Sequence, residues 1–283
     1  MQPLATRTES VPLPNLAPAS ARRNQLDNVL AISSLVIKEL YRRKDFYVLF
    51  ILTALLTLVM GSASFFSLDN VSRYLREICL FLIWVSSLVI AVVTTARQIP
   101  AERENRTLYP LLAKPVTRND LVLGKFAGCW FATGLALIVF YFFFGLVSGL
   151  REHHWPVAQY LQALTLHWFM LGIVCAMTVL ASVVLAAPSS SNTIVLVVTA
   201  GILLVGRHLN KVALGLEQPG QSILYGLYYL LPHLELFDLR DLIVHDWPLV
   251  RWPIFGGAVG YALVYITLFL SLACLAFRRK PIN

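Results

Sequence analysis

Apolar residues in this chain come in long runs separated by short polar stretches. Six runs approach the ~20 residues needed to cross the hydrocarbon of a bilayer. They lie at about 46–66, 77–96, 122–148, 160–186, 192–209 and 253–277. Backbone within lipid must satisfy its own hydrogen bonds, so each run is read as a transmembrane helix. Ahead of the first, Leu26, Val29, Leu30, Val36, Ile37 and Leu40 recur at helical spacing, with Asp27, Asn28, Lys38 and Arg42 elsewhere on the wheel. That pattern predicts an amphipathic helix over 25–44, lying in the membrane interface and ending in Arg42, Arg43 and Lys44. Residues 1–24 carry Pro3, Pro12, Pro14 and Pro18 without a continuous apolar stretch. They read as a flexible tail and not as a secretory signal. The expectation is an all-α polytopic membrane protein, with a tail over 1–24 and one six-span membrane domain over 25–283.

Composition agrees. The chain has 283 residues, 58% hydrophobic and 13% charged, with mean hydropathy +0.70. Soluble domains average ~45–50% apolar and ~25% charged residues. The net charge of +8 invites a nucleic-acid reading, but the cations cluster at the ends of apolar runs. With the N-terminus inside, 16 of the 23 Lys and Arg residues fall in inner segments and 7 in outer ones. That asymmetry places both termini and the block 97–125 in the cytoplasm of a cell inner (plasma) membrane.

The block from Arg97 to Lys125 is the most elaborate polar stretch. Glu102, Arg103, Glu104 and Arg106 alternate in sign. Thr107 caps a short amphipathic helix bearing Leu108, Leu111 and Leu112, and Pro115 ends it. Thr117, Asn119 or Asp120 then caps the next span, with Gly124 and Lys125 in its first turns. An ordinary solvated loop would not need paired leucines between proline-bounded turns. Such a helix, held between two spans, can dock in a groove of another protein and move both spans together.

These residues carry a resemblance. The pattern E-x-x-T-L-x-x-L-L-x-x-P-V-x-R followed by G-K is similar to the coupling-helix region of type-2 ABC exporter permeases. The matching positions are Glu104, Thr107, Leu108, Leu111, Leu112, Pro115, Val116, Arg118, Gly124 and Lys125. The segment Tyr228 to Asp238, YYLLPHLELFD, resembles the stretch ahead of the last span in bacterial members. Arg106 stands where many members have glycine. The resemblance implies a permease that is not itself an enzyme, paired as a homodimer or pseudo-dimer. It also implies a coupling helix docked to a separate ABC ATP-binding subunit, which would hold the ATP and magnesium. The partner-binding residues would be Glu104, Thr107, Leu108, Leu111, Leu112, Pro115, Val116 and Arg118.

Other chemistry is weak. Gly124–Lys125 is no phosphate loop, because Phe126 follows where Ser or Thr is needed and Asn119 stands at the first glycine position. No metalloprotease or serine-protease motif falls in a span. The span interiors hold almost no ionisable groups, which disfavours ion-coupled transport and favours an apolar or amphipathic cargo. Cys79, Cys129, Cys175 and Cys274 read as small apolar residues. His153 and His154 share an outer turn with Glu152, and His233, Glu235, Asp238, Asp241, His245 and Asp246 share a long outer segment. Asp238, Asp241 and His245 could share a helical face as a metal or cation site, but a polar face at the water interface is the preferred reading. His167 and Trp168 read as interfacial anchors. Glycines spaced by four, at Gly124/Gly128, Gly145/Gly149 and Gly256/Gly260, allow close helix contacts within or between subunits. No repeat relates the two halves. Two rivals differ in class: a membrane subunit that transmits force to an envelope partner without moving solute, and an intramembrane enzyme, disfavoured by the missing motifs.

Overall fold

The computed structural model describes residues 25–42, 51, 54–55, 69–104, 117–152, 155–185, 187–215 and 218–279. Over these the chain is helical. The helices are α1 (Gln25–Tyr41), α2 (Asp69–Ala96), α3 (Gln98–Glu104), α4 (Arg118–Glu152), α5 (Val157–Val184), α6 (Pro188–Leu214), α7 (Gly220–Leu230), α8 (Arg240–Val244) and α9 (Trp252–Arg279), with a 3-10 turn at Leu234–Phe237. Four stretches are long and apolar enough to cross a membrane: Arg76–Glu102, Arg118–Leu150, Val157–Val184 and Trp252–Arg279. The expected fifth span falls on α6, whose apolar part, Pro188–Leu204, is shorter. The tail 1–24, and all of the expected first span except residues 51, 54 and 55, lie outside the described residues. The all-α class holds over the described residues, while the count of six spans stays an expectation.

Prolines set two of the breaks. Pro100 lacks an N–H and its ring crowds the carbonyl four residues back, that of Ala96, where α2 ends. Pro188 does the same to Val184, the last residue of α5, and then opens α6 as its first residue. Thr117 and Asp120 settle the cap of α4 reciprocally. The Asp120 amide donates to Thr117 Oγ1 at 3.2 Å, and the Thr117 amide donates to Asp120 Oδ2 at 3.0 Å. This is a capping box with Asp in the usual Glu place.

α5 is the hub, packed by α2, α4, α6 and α9. Its membrane-crossing window is 72% buried, against 22% for α9. α1 lies along α4. Ile32, Val36 and Leu40 turn inward one helical turn apart, while Leu26 and Leu30 face outward. Gly124 and Gly128 make the approach close enough. A Cβ on them would sit 2.7 Å from Ile32 Cβ and 2.6 Å from Val36 Cβ. Gly149 is filled by the Trp155 ring of the next turn, and Gly145 lies beside Tyr160. Gly256 and Gly260 have nothing within 4 Å. Two of the three glycine pairs therefore serve contacts within the subunit. The four cysteines are free thiols, three of them buried.

Candidate functional site

At one end of the bundle, the polar block is tied in on both sides of residues 105–116. On the near side, Lys125 of α4 is buried and forms an ion pair with Glu102 of α3. Its Nζ also donates to Gln98 Oε1 at 3.1 Å. A buried ammonium needs such partners, because removing it from water is costly. Gly124 and Lys125 thus serve packing and an ion pair inside a helix. On the far side, Arg118 donates to the Phe277 carbonyl at 3.0 Å and the Arg278 carbonyl at 3.3 Å. Its guanidinium lies 5.8 Å from the Phe277 ring centroid. Arg278 Nε reaches back to Asn119 Oδ1 at 3.3 Å. A cation on the last carbonyls of α9 satisfies acceptors that the helix leaves open. Of the expected partner-binding residues, Glu104 ends α3 and Arg118 joins α4 to α9. Thr107, Leu108, Leu111, Leu112, Pro115 and Val116 lie outside the described residues.

The interior holds polar groups that composition did not reveal. His167 is 2% exposed, so it is a core residue and not an interfacial anchor. Its Nε2 is 2.9 Å from Ser87 Oγ and its Nδ1 is 3.4 Å from Tyr141 Oη, joining α2, α4 and α5. Tyr141 also walls an apolar groove of about 320 Å³ between α4 and α5, rimmed by Trp155 and Tyr160. Trp168 is no anchor either. Its ring stacks on that of Trp130 at 4.7 Å, and each indole N–H donates to the other's backbone carbonyl, at 2.9 and 3.1 Å. Each ring also covers the other helix's glycine. A Cβ on Gly134 would lie 2.4 Å from Trp168 Nε1, and one on Gly172 would lie 2.8 Å from Trp130 Nε1. The signal was in the chain as a short W-F-x-x-G repeat, at Trp130–Gly134 and Trp168–Gly172.

At the opposite end, residues 234–250 fold back over the bundle. Leu234, Phe237, Ile243 and Val244 are buried. Gln162 clamps Val250 reciprocally: its Nε2 donates to the Val250 carbonyl at 3.1 Å and its Oε1 accepts from the Val250 amide at 3.0 Å. Gln159 Nε2 donates to the Trp247 carbonyl at 2.8 Å. Arg240 chelates Asp238 at 2.8 and 2.7 Å and lies 5.2 Å from the ring centroids of both Phe81 and Trp84. The hydrogen bonds to Asp238 raise the Arg240 pKa, so the guanidinium stays charged. Asp238 is therefore committed to Arg240, and the candidate face of Asp238, Asp241 and His245 does not form a metal cluster. Among the described residues no group of three His, Cys, Asp or Glu side chains could hold a metal ion. His153 and His154 lie outside the described residues.

No curated protein matches the chain. A family profile described as ABC-2 family transporter protein matches residues 19–281, nearly the whole chain. A membrane-crossing helical bundle with an elaborate polar block between two spans fits that match, and the chain belongs to the ABC-2 transporter family.

Proposed function

We propose that two copies of this chain line the pathway of an ATP-driven exporter, each moved through residues 105–116 by a separate ATP-binding subunit. Family membership makes the chain a non-catalytic membrane component of an ABC transporter. ATP and magnesium belong to the partner subunit, and the spans carry the cargo past a membrane in which both termini are cytoplasmic. The observation that carries the reading is the double anchoring of the polar block. Lys125, Glu102 and Gln98 bind α3 to α4, and Arg118 binds α4 to the end of α9. A push delivered between those anchors reaches α2, α4 and α9 at once. The apolar groove beside Tyr141 favours an amphipathic cargo.

Leu111→Asp tests this. A leucine fully buried at an interface is worth ~1.5–3 kcal/mol, and an unpaired charge in its place costs more. Association with the ATP-binding subunit should weaken ~100-fold or more, since each 1.4 kcal/mol is tenfold. Co-purification yield and cargo-stimulated ATP hydrolysis are compared with wild type and with Ser34→Asp, on an exposed position of α1. Retention of the ATPase by Leu111→Asp, with normal stimulation, would sink the proposal.

A further inference from the structure

At the end of the bundle opposite the polar block, α8 and residues 247–250 border an open cavity of about 560 Å³. That is a common size for a small-molecule site, ~300–1,000 Å³. Its wall holds Asp238, Asp241 and Trp247, and is otherwise leucine, proline and valine. The wall is held in shape by backbone contacts. The Trp247 amide donates to the Leu242 carbonyl at 3.0 Å, Gln159 holds the Trp247 carbonyl, and Gln162 clamps Val250. The Trp247 ring also stacks on His245, with centroids 5.3 Å apart. The charges around the cavity are unequal. Residues 233–251 carry Glu235, Asp238, Asp241 and Asp246 against Arg240 and Arg251. Arg240 spends its guanidinium on Asp238. Arg76 Nη1 lies 4.0 Å from Asp246 Oδ2. Asp241 is exposed, and its carboxylate makes no hydrogen bond or ion pair among the described residues. Of the two carboxylates in the wall, one is therefore neutralised and one is open.

An unpaired carboxylate on an open surface is ordinary. Asp241 differs because it shares a cavity wall with an indole and several apolar side chains. An apolar concavity with one or two polar groups is how small-molecule sites hold and orient a ligand. The open charge calls for a cation, and the apolar wall calls for hydrocarbon on the same molecule. A hard metal ion needs several oxygen ligands, and no group of three metal-binding side chains exists among the described residues. An organic ammonium suits a carboxylate and an indole together. We propose that the cavity between α8 and residues 247–250 binds an organic monocation, an ammonium carrying an apolar group. Asp241 takes the charge, and Trp247 with its apolar neighbours takes the hydrocarbon. The cation is either a free amphipathic amine or the amine headgroup of a lipid. The site rests on the reading of the chain as a path for amphipathic cargo, and adds the sign of that cargo's charge. Binding is measured on the full chain without its ATPase, so its failure leaves the coupling proposal standing. Leu111→Asp does not touch the cavity, so the converse also holds.

Tritiated phenylbutyltrimethylammonium serves as the probe, in equilibrium dialysis against the purified full chain in maltoside detergent. Wild type should bind it saturably, and the neutral isostere with carbon in place of nitrogen should not displace it. Asp241→Asn should weaken binding about fivefold or more, the scale of losing a partly exposed ion pair. Trp247→Leu should weaken it several-fold while leaving the backbone hydrogen bonds of Trp247 in place. Asp246→Asn, outside the cavity wall, should bind as wild type does. Asparagine tolerates the φ of 52° found at Asp246, so that control keeps its backbone. Trp247→Leu decides the matter where Asp241→Asn does not fold. Displacement by phosphatidylethanolamine assigns the site to lipid headgroups, and indifference to it assigns the site to free amines. Three results would overturn the site: no saturable binding by wild type, displacement by the neutral isostere, or Asp241→Asn binding no more weakly than Asp246→Asn.

Discussion

Lys125 shows how much one residue's surroundings decide. In the chain it is the second half of a G-K pair at the edge of a span, where a lysine usually stands in water. In the fold it is buried among Gln98, Glu102 and the first turns of α4. Breaking a buried ion pair from one side typically costs ~3–5 kcal/mol, because the remaining charge loses its mate. Lys125→Met should therefore lower the thermal midpoint of the purified chain clearly. The double variant Lys125→Met with Glu102→Gln removes both charges and should recover most of that loss. Equal midpoints for the single and double variants would show that the pair is not coupled. Arg240 makes the same point at the opposite end, where its charge is kept by Asp238 and its guanidinium lies 5.2 Å from the ring centroids of Phe81 and Trp84.

Glycines govern how the helices meet. Between lipid-covered helices there is little hydrophobic drive to associate, so close backbone approach and hydrogen bonds carry the packing. Gly124 and Gly128 admit Ile32 and Val36 of α1, and Gly134 and Gly172 admit the paired indoles that rivet α4 to α5. Gly260, by contrast, faces open space. Gly128→Leu should force α1 off α4 and destabilise the chain by about 1–3 kcal/mol, the usual cost of overpacking. Gly260→Leu should leave the stability of the isolated chain unchanged. The check is a pair of thermal melts in detergent. A Gly128→Leu melt that matches wild type would mean α1 is not seated as the structure has it.

Across the whole molecule, charge sets orientation and packing sets shape. The excess of cations in the segments read as inner predicts a cytoplasmic polar block and cytoplasmic termini. Single cysteines at Ser72 and Ala113, in a chain freed of its four native cysteines, report the topology to an impermeant thiol reagent. From outside intact cells Ser72 should label and Ala113 should not. Labelling of Ala113 under those conditions would invert the assignment. The same molecule has one densely packed helix, α5, and one mostly uncovered one, α9. The uncovered face of α9 is available to lipid or to a second permease copy.

Much of this was legible in the chain itself, for a physical reason. Lipid demands long apolar helices, so length and hydropathy alone indicated an all-α membrane protein, and α2, α4, α5 and α9 fall on four of the expected spans. Capping chemistry acts over a few residues, so Thr117 and Asp120 already stood among the candidate caps of α4, and the fold shows that they act together. The motif around Thr107 to Arg118 pointed to the ABC-2 family without any fold. Contacts between distant segments were not legible. His167 reads alone as an interfacial histidine, and only the approach of Ser87 and Tyr141 from two other helices makes it a buried junction. The role of Arg118 on the carbonyls of α9 likewise appears only once the bundle is assembled. Periodicity reports which face of a helix is apolar, but only tertiary packing decides what that face meets.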